Sequence, residues 1–339
     1  MIEVYKNSKI YIVTYPNFES GGPELLHQLC RELNELGFDA RMYYDGKPQI
    51  GSDPVPNKFK KYNTKYVTHI EDDPKNILIF PEAIEKTAKE NSKIRKVMWW
   101  LGVNHYLIYS ELQKYPKLAY LKHWCSAMLN KRPSYTFRQL RNNDIQCLAQ
   151  CWFIISYLNQ KGVKNVPYLS DYISEDFITF YNEKNPAEMK KENIVLYNPS
   201  RNTKYVEKIM KAAPDIEFVP LKGLDSQKLK EIMSKAKIYV DFGNHPGKDR
   251  MPRETAIMGC CVLTSYEGSA GFYNDLPIPD EYKFEREHKN ISLIVQKIRY
   301  IFENYEKEKH KYDYYREFIL KEKNKFRKNI SELFIKPKD

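Results

Sequence analysis

The run "KIYIVT" (9–14) followed by "ESGGPELLHQLCRELNELGFDARMYY" (19–44) constrains the fold more than any other stretch. A short apolar strand, a Gly-Gly turn, a Pro-started amphipathic helix, a glycine stop and a second strand make a βαβ unit. Strands joined through a helix run parallel, so a parallel sheet covered by helices is predicted. "NILIFPEAIEKTAKEN" and "KVMWWLG" repeat the alternation, and "DIQCLAQCWFIISYLNQKG" adds a strand or a long apolar helix before "VKNVPYLSDYIS". These segments place a first domain over residues 1–170. Residues 171–190 are polar and read as a linker.

A second alternation fills residues 191–288: "NIVLYNPS", "KYVEKIMKAA", "IEFVPLKG", "DSQKLKEIMSKA" with Asp225 or Ser226 as its cap, "KIYVDFG" and "CCVLTS". The remainder, 289–339, is helical by pattern. Its Tyr312, Tyr315, Ile319, Phe326, Ile330 and Leu333 fall three to four apart, which predicts a helix packed on its own protein, with a membrane-surface helix as the alternative. A length of 339 residues suits two such α/β domains in tandem. Between the strands of the first domain, residues 45–75 form an unusually long connection rich in Pro, Gly, Asn and Lys.

The formal charge of +11 has two readings. Lys, Asn, Ile and Tyr are all abundant, as an AT-rich genome would dictate; alternatively an anionic partner is present, such as a nucleotide, a membrane face or a nucleic acid. No signal pattern opens the sequence, and no apolar run reaches membrane-spanning length. The six cysteines sit in apolar runs without a CxxC pair. A cytoplasmic protein is expected, peripheral at the inner membrane face in the alternative.

Several chemistries are excluded by missing motifs. The first strand–helix turn reads "SGGPE" and not GxGxxG, and neither GxxxxGK[ST], a zinc signature nor GxSxG occurs. "EDDP" (71–74) precedes a strand instead of ending one, so no metal site is predicted. Three glycine- or base-bearing loops remain at strand ends: "NFESGGPE", "NPSRNTK" and "FGNHPGKDRMPRE". The last lies between a strand ending near Asp241 and a helix beginning near Pro252, at the edge where open α/β sheets bind ligands. Helix N-termini carry partial positive charge, so Lys248, Arg250 and Arg253 beside one suit a phosphate. Two Rossmann-like domains with such loops facing a cleft describe a sugar-nucleotide-dependent glycosyltransferase.

The run "FVPLKGLDSQKLKEIMSKAKIYVDFGNHPGKDRMPRETAIMGCCVLTS" resembles the donor half of GT-B glycosyltransferases, and "SGGPELLHQLCRELNELGFDARMYY" resembles the first glycine-rich loop and helix of their acceptor half. With "MWWLGVNHY" and "LSDYISEDF", the pattern is similar to bacterial glycosyltransferases of surface polysaccharides. The resemblance implies Glu254 as the ligand of the donor ribose. It implies Arg201 and Lys204 as the superfamily's phosphate-binding pair. One departure stands out: many retaining members carry a second glutamate with seven residues between the two, and counting back from Glu254 gives Pro246.

The expected donor-binding set is therefore Gly22, Arg201, Lys204, Gly243, Gly247, Arg253 and Glu254. Lys248 and Arg250 are expected to stabilise the departing diphosphate electrostatically, in place of a metal. The base that activates the acceptor is sought among Glu19, His27, Glu82 and His105, with Glu82 at a strand end the catalytic candidate. Asp171 lies near the expected hinge, and Trp99 and Trp100 read as buried core or as an aromatic floor for a sugar. No cofactor is expected beyond the nucleotide-sugar co-substrate, and the acceptor is expected to be a glycan or a lipid-linked glycan. The alternatives are a nucleic-acid-directed glycosyltransferase and a non-catalytic binding protein on the same fold.

Overall fold

A computed structural model describes residues 1–46, 52–104, 106, 135–142, 144–201 and 203–336. The chain divides into two units, one of residues 1–171 and 324–339, the other of residues 172–323.

The first unit contains β1 (Ile2–Glu3), β2 (Lys9–Thr14), α1 (Gly21–Glu35), β3 (Asp39–Tyr44), β4 (Tyr66–Val67), β5 (Ile77–Pro81), α2 (Lys86–Glu90), β6 (Arg95–Trp100), α3 (Phe137–Arg141), β7 (Ile145–Ala149) and α4 (Trp152–Gln160). Six strands form a parallel sheet in the order β4-β3-β2-β5-β6-β7. The central β5 is buried along its whole length, as a strand covered on both faces must be. α1 turns Leu25, Leu26, Leu29, Cys30 and Leu33 inward at helical spacing. "DIQCLAQCWFIISYLNQKG" is both alternatives in succession, a strand to Ala149 and a helix from Trp152. In the long connection, Asn57–Tyr62 forms a 3₁₀ turn that buries Phe59 and Tyr62.

The second unit contains α5 (Glu175–Lys184), β8 (Glu192–Tyr197), α6 (Thr203–Ala212), β9 (Glu217–Pro220), α7 (Ser226–Lys235), β10 (Ala236–Asp241), α8 (Arg250–Ile257), β11 (Cys261–Thr264), α9 (Ile291–Glu303), α10 (Tyr305–Glu308) and the start of α11 (Asp313–Leu333). Its parallel sheet runs β11-β10-β8-β9. Asp225 caps α7, its carboxylate accepting from Lys228 N at 2.8 Å. The expected linker 171–190 is corrected: it holds α5, and Ile173 and Phe177 are buried in the core of this unit.

α11 begins in the second unit and ends in the first. Tyr315, Ile319, Phe326, Ile330 and Leu333 are all buried, as is Tyr312 just before it, so this helix packs on its own protein along its length. After it, β12 (Phe334–Ile335) pairs in parallel with β1.

Candidate functional site

In each sheet the strand order reverses direction at one place. Between β2 and β5 in the first unit and between β8 and β10 in the second, successive connections leave to opposite sides, which opens a crevice at the strands' carboxyl ends. In the first unit this edge carries the start of α1, with Gly22, and the residue after β5, Glu82. The loops after β2 and β5 are tied by Tyr15, whose hydroxyl donates to Ala83 O at 3.2 Å.

In the second unit the edge carries a dense ionic cluster. Arg201, after β8, donates from Nη1 and Nη2 to the two carboxylate oxygens of Asp249 at 2.5 and 2.6 Å. Asp249 stands at the N-cap of α8 but makes no side-chain cap bond, because its carboxylate is turned to Arg201 and to His245. His245 Nδ1 lies 2.7 Å from Asp249 Oδ2, and its Nε2 lies 3.2 Å from Asp241 O and 3.1 Å from Thr264 Oγ1. Asp241 closes the cluster, accepting from Tyr239 Oη at 2.9 Å and Gly243 N at 3.0 Å.

At His245, Asp249 and Arg201 burial works against charge, and opposite charges outweigh it. His245 is lowered by burial but raised more by Asp241 and Asp249, ending above its ordinary 6.5. Burial would raise Asp249, yet His245 and Arg201 hold it below the usual 3.8. Arg201 is pushed up by Asp249 and Asp241 despite desolvation, so it stays charged.

Lys248 and Arg253, expected against a phosphate, are instead turned inward. The Lys248 side chain is 2 % exposed, with its ammonium 2.6 Å from Glu322 Oε1 on α11. Arg253 donates from Nη1 to Glu322 Oε2 at 2.8 Å, from Nη2 to Lys248 O at 2.9 Å and from Nε to Asp249 O at 3.1 Å. These two bases meet a carboxylate far along the sequence, and that contact fixes the shape of the loop between β10 and α8. Arg250, at the first position of α8, is partly exposed, and Lys204 is exposed on the first turn of α6. Glu254 is buried one turn into α8.

The glycines differ in what requires them. A Cβ on Gly243 would stand 3.0 Å from Asp241 Oδ1 and 3.2 Å from Arg201 Cδ, so the cluster itself demands a small residue. On Gly22 a Cβ would meet only Leu101 Cδ1, at an ordinary 3.6 Å, so packing within the described residues does not call for glycine there. Gly247 is buried, its carbonyl accepting from Ser269 Oγ at 2.6 Å.

Among the acceptor-base candidates, Glu82 is buried and accepts from Leu101 N at 2.8 Å. His27 is buried within α1, its Nδ1 donating to Pro23 O at 2.7 Å and its Nε2 accepting from Tyr44 Oη at 2.9 Å. Burial lowers its pKa, and both nitrogens are occupied within the fold. Glu19 is exposed, and His105 lies outside the described residues. Asp171 is buried and accepts from Gln150 Nε2 at 2.9 Å. Trp99 and Trp100 are core: Trp99 stacks on Phe326 and donates to Leu169 O, and Trp100 stacks on Phe137. The "EDDP" carboxylates staple loops, Asp72 accepting from the backbone of Ser92, Lys93 and Ile94, and Glu71 pairing with Lys9. Among the described residues no group of three or more His, Cys, Asp and Glu is placed to hold a metal, and no helix is long and apolar enough to cross a membrane.

Asp241, His245, Asp249 and Glu322 were not singled out by the sequence reading. His245 and Asp249 do carry a signal, an i, i+4 pair of opposite charge type flanking the basic loop. Glu322 carries none.

No family model matches the sequence, and no curated protein matches it either. Solved structures do share its fold. Sucrose-phosphate synthase from Thermosynechococcus elongatus superposes with a TM-score of 0.61 at 14% identity, covering 96% of this chain and 98% of that one. HepE from Anabaena, solved in complex with UDP and glucose, gives 0.53 at 10% identity, covering 96% and 99%; its complex with UDP-glucose gives 0.51. WaaG, a glycosyltransferase involved in lipopolysaccharide biosynthesis, gives 0.51 at 11% identity, covering 95% and 99%. The fold is that of the GT-B glycosyltransferases, two Rossmann-like α/β units in one chain.

Proposed function

We propose that this chain is a glycosyltransferase that moves a sugar from a nucleotide-sugar donor, held by the second unit, to a glycan or lipid-linked acceptor without a metal ion. The observation that carries the reading is Arg201: its guanidinium is fixed at the sheet edge where the strand order reverses, with its side chain 29 % exposed. The donor class is supported by the UDP and UDP-glucose complexes of HepE, and the acceptor class by the role of WaaG in lipopolysaccharide biosynthesis. A lipid-linked acceptor would bring the enzyme to the inner membrane face as a peripheral cytoplasmic protein.

In this reading Arg201, Lys204 and Arg250, beside the N-termini of α6 and α8, face the diphosphate and take up charge as the glycosidic bond breaks. Lys248 and Arg253 act one step back, holding the loop through Glu322. Glu254 binds the ribose, Gly22, Gly243 and Gly247 allow close approach of backbone to the donor, and Glu82 is the base toward the acceptor hydroxyl. The test is a thermal-shift panel of nucleotide sugars followed by assay of nucleotide release in excess EDTA. One donor raising the melting temperature and turning over with chelator present is the expected result. No response to any donor would overturn the reading, and activity lost to EDTA but restored by manganese would overturn its metal-free form.

A further inference from the structure

The hydrogen-bond partners around His245 suit a protonated ring. The Thr264 hydroxyl donates to Asp241 O at 2.8 Å, so toward His245 Nε2 it presents only lone pairs. The other neighbour of Nε2 is the Asp241 carbonyl, and Nδ1 faces the Asp249 carboxylate. With the Thr264 hydroxyl so directed, both ring nitrogens face acceptors, an arrangement that the doubly protonated imidazolium satisfies. The groups around the ring are Tyr239 and Asp241 from β10, Thr264 from β11, Arg201 from the loop after β8, and Asp249 at the start of α8. With His245 protonated, two carboxylates balance two cations. Without that proton the cluster carries one net negative charge.

We infer that Asp249 and His245 are positioning residues for Arg201, and that they couple diphosphate binding at Arg201 to a proton on His245. The inference rests on the donor reading above. A guanidinium offers five N–H donors, and Asp249 occupies two of them end-on. Among the described residues no partner takes the other three, so they remain for an anion, on a group whose orientation is already fixed, and less freedom is lost on binding. Asp249 is in turn held by His245. When His245 loses its proton, Asp249 loses that charge partner, and the extra negative charge repels the diphosphate. Affinity is full below the raised pKa of His245 and falls as pH rises through it. Folding stability from this ring follows the same sign, present in full below its ordinary 6.5 and lost above the folded value.

The full chain is tested with UDP-glucose, whose diphosphate diester does not titrate between pH 6 and 8.5. His245 has φ +41°, a left-handed conformation that asparagine tolerates, so His245→Asn removes the titration with least strain on the backbone. In the unmodified chain affinity should fall roughly tenfold from pH 6 to 8.5, the equivalent of one pKa unit of coupling. In His245→Asn it should be flat. Binding that is equally strong at both pH values in the unmodified chain overturns the inference. In parallel, the His245 imidazole, assigned by its loss in His245→Asn, is titrated by NMR without ligand. A midpoint above 6.5 that drops in Asp249→Asn and rises in Arg201→Ala is expected; a neutral ring at pH 6 overturns the inference. If UDP-glucose binds at neither pH, the donor reading loses its UDP-glucose form, while the NMR arm still decides whether the coupled cluster exists.

Discussion

Glu322 receives both Lys248 and Arg253 in a space closed to water. Removing it would strand two buried cations, so Glu322→Ala should lose about 3–5 kcal/mol of stability in urea denaturation. A loss below about 1 kcal/mol would mean that the two bases find other partners and that the loop is not held this way. Glu254→Ala tests the ribose assignment. Donor affinity should weaken by about 1.5–3 kcal/mol in calorimetry while the fold survives, and unchanged binding would remove Glu254 from the site. Lys248, Arg250 and Arg253 look alike in sequence, because nearness along the chain says nothing of which way a side chain turns. Two of the three meet a carboxylate 69 or more positions later, which no local pattern announces. Arg201 was legible as a base at a strand end; its bidentate hold on Asp249 was not.

The strands were the most legible elements. Short apolar runs bounded by Gly, Pro and Asn marked β2 over 9–14, and the alternation with helices implied parallel strands, though not their order in either sheet. The polar look of 171–190 concealed α5, whose single buried Phe177 is too little for a periodic pattern. The Asp225 cap of α7 was readable, and Asp225→Ala should cost about 1 kcal/mol in chemical denaturation. The loop after β11 is under a stricter demand. At Gly268, φ is +58° and a Cβ would lie 2.1 Å from His245 O. Gly268→Ala should therefore destabilise by about 1–3 kcal/mol or more and displace the backbone that carries His245. A variant of unchanged stability and unchanged His245 titration would show that this loop can give way.

Tandem α/β units could be read from the alternation alone, but the division of the closing helix between them could not. The first unit is built from both ends of the sequence, with Phe326 stacked on Trp99 and β12 paired to β1. Trp99, Trp100 and Trp152 lie in that unit, so tryptophan fluorescence reports on it. Phe326→Ala should lower the midpoint of the tryptophan transition, at a cost of about 3–5 kcal/mol; an unmoved midpoint would show that the terminal segment contributes nothing to the first core. The same arrangement has a consequence for the chain as it leaves the ribosome. β2 and α1 emerge early, yet the segment that covers Trp99 and pairs with β1 is translated only after the whole second unit. Elongation at roughly 5–20 residues per second leaves the first unit waiting on the order of tens of seconds for that segment. Lys248 and Arg253 likewise have no Glu322 to meet until α11 is made. A nascent chain halted before residue 322 therefore carries neither unit in finished form, and its exposed apolar edge is a natural substrate for chaperones.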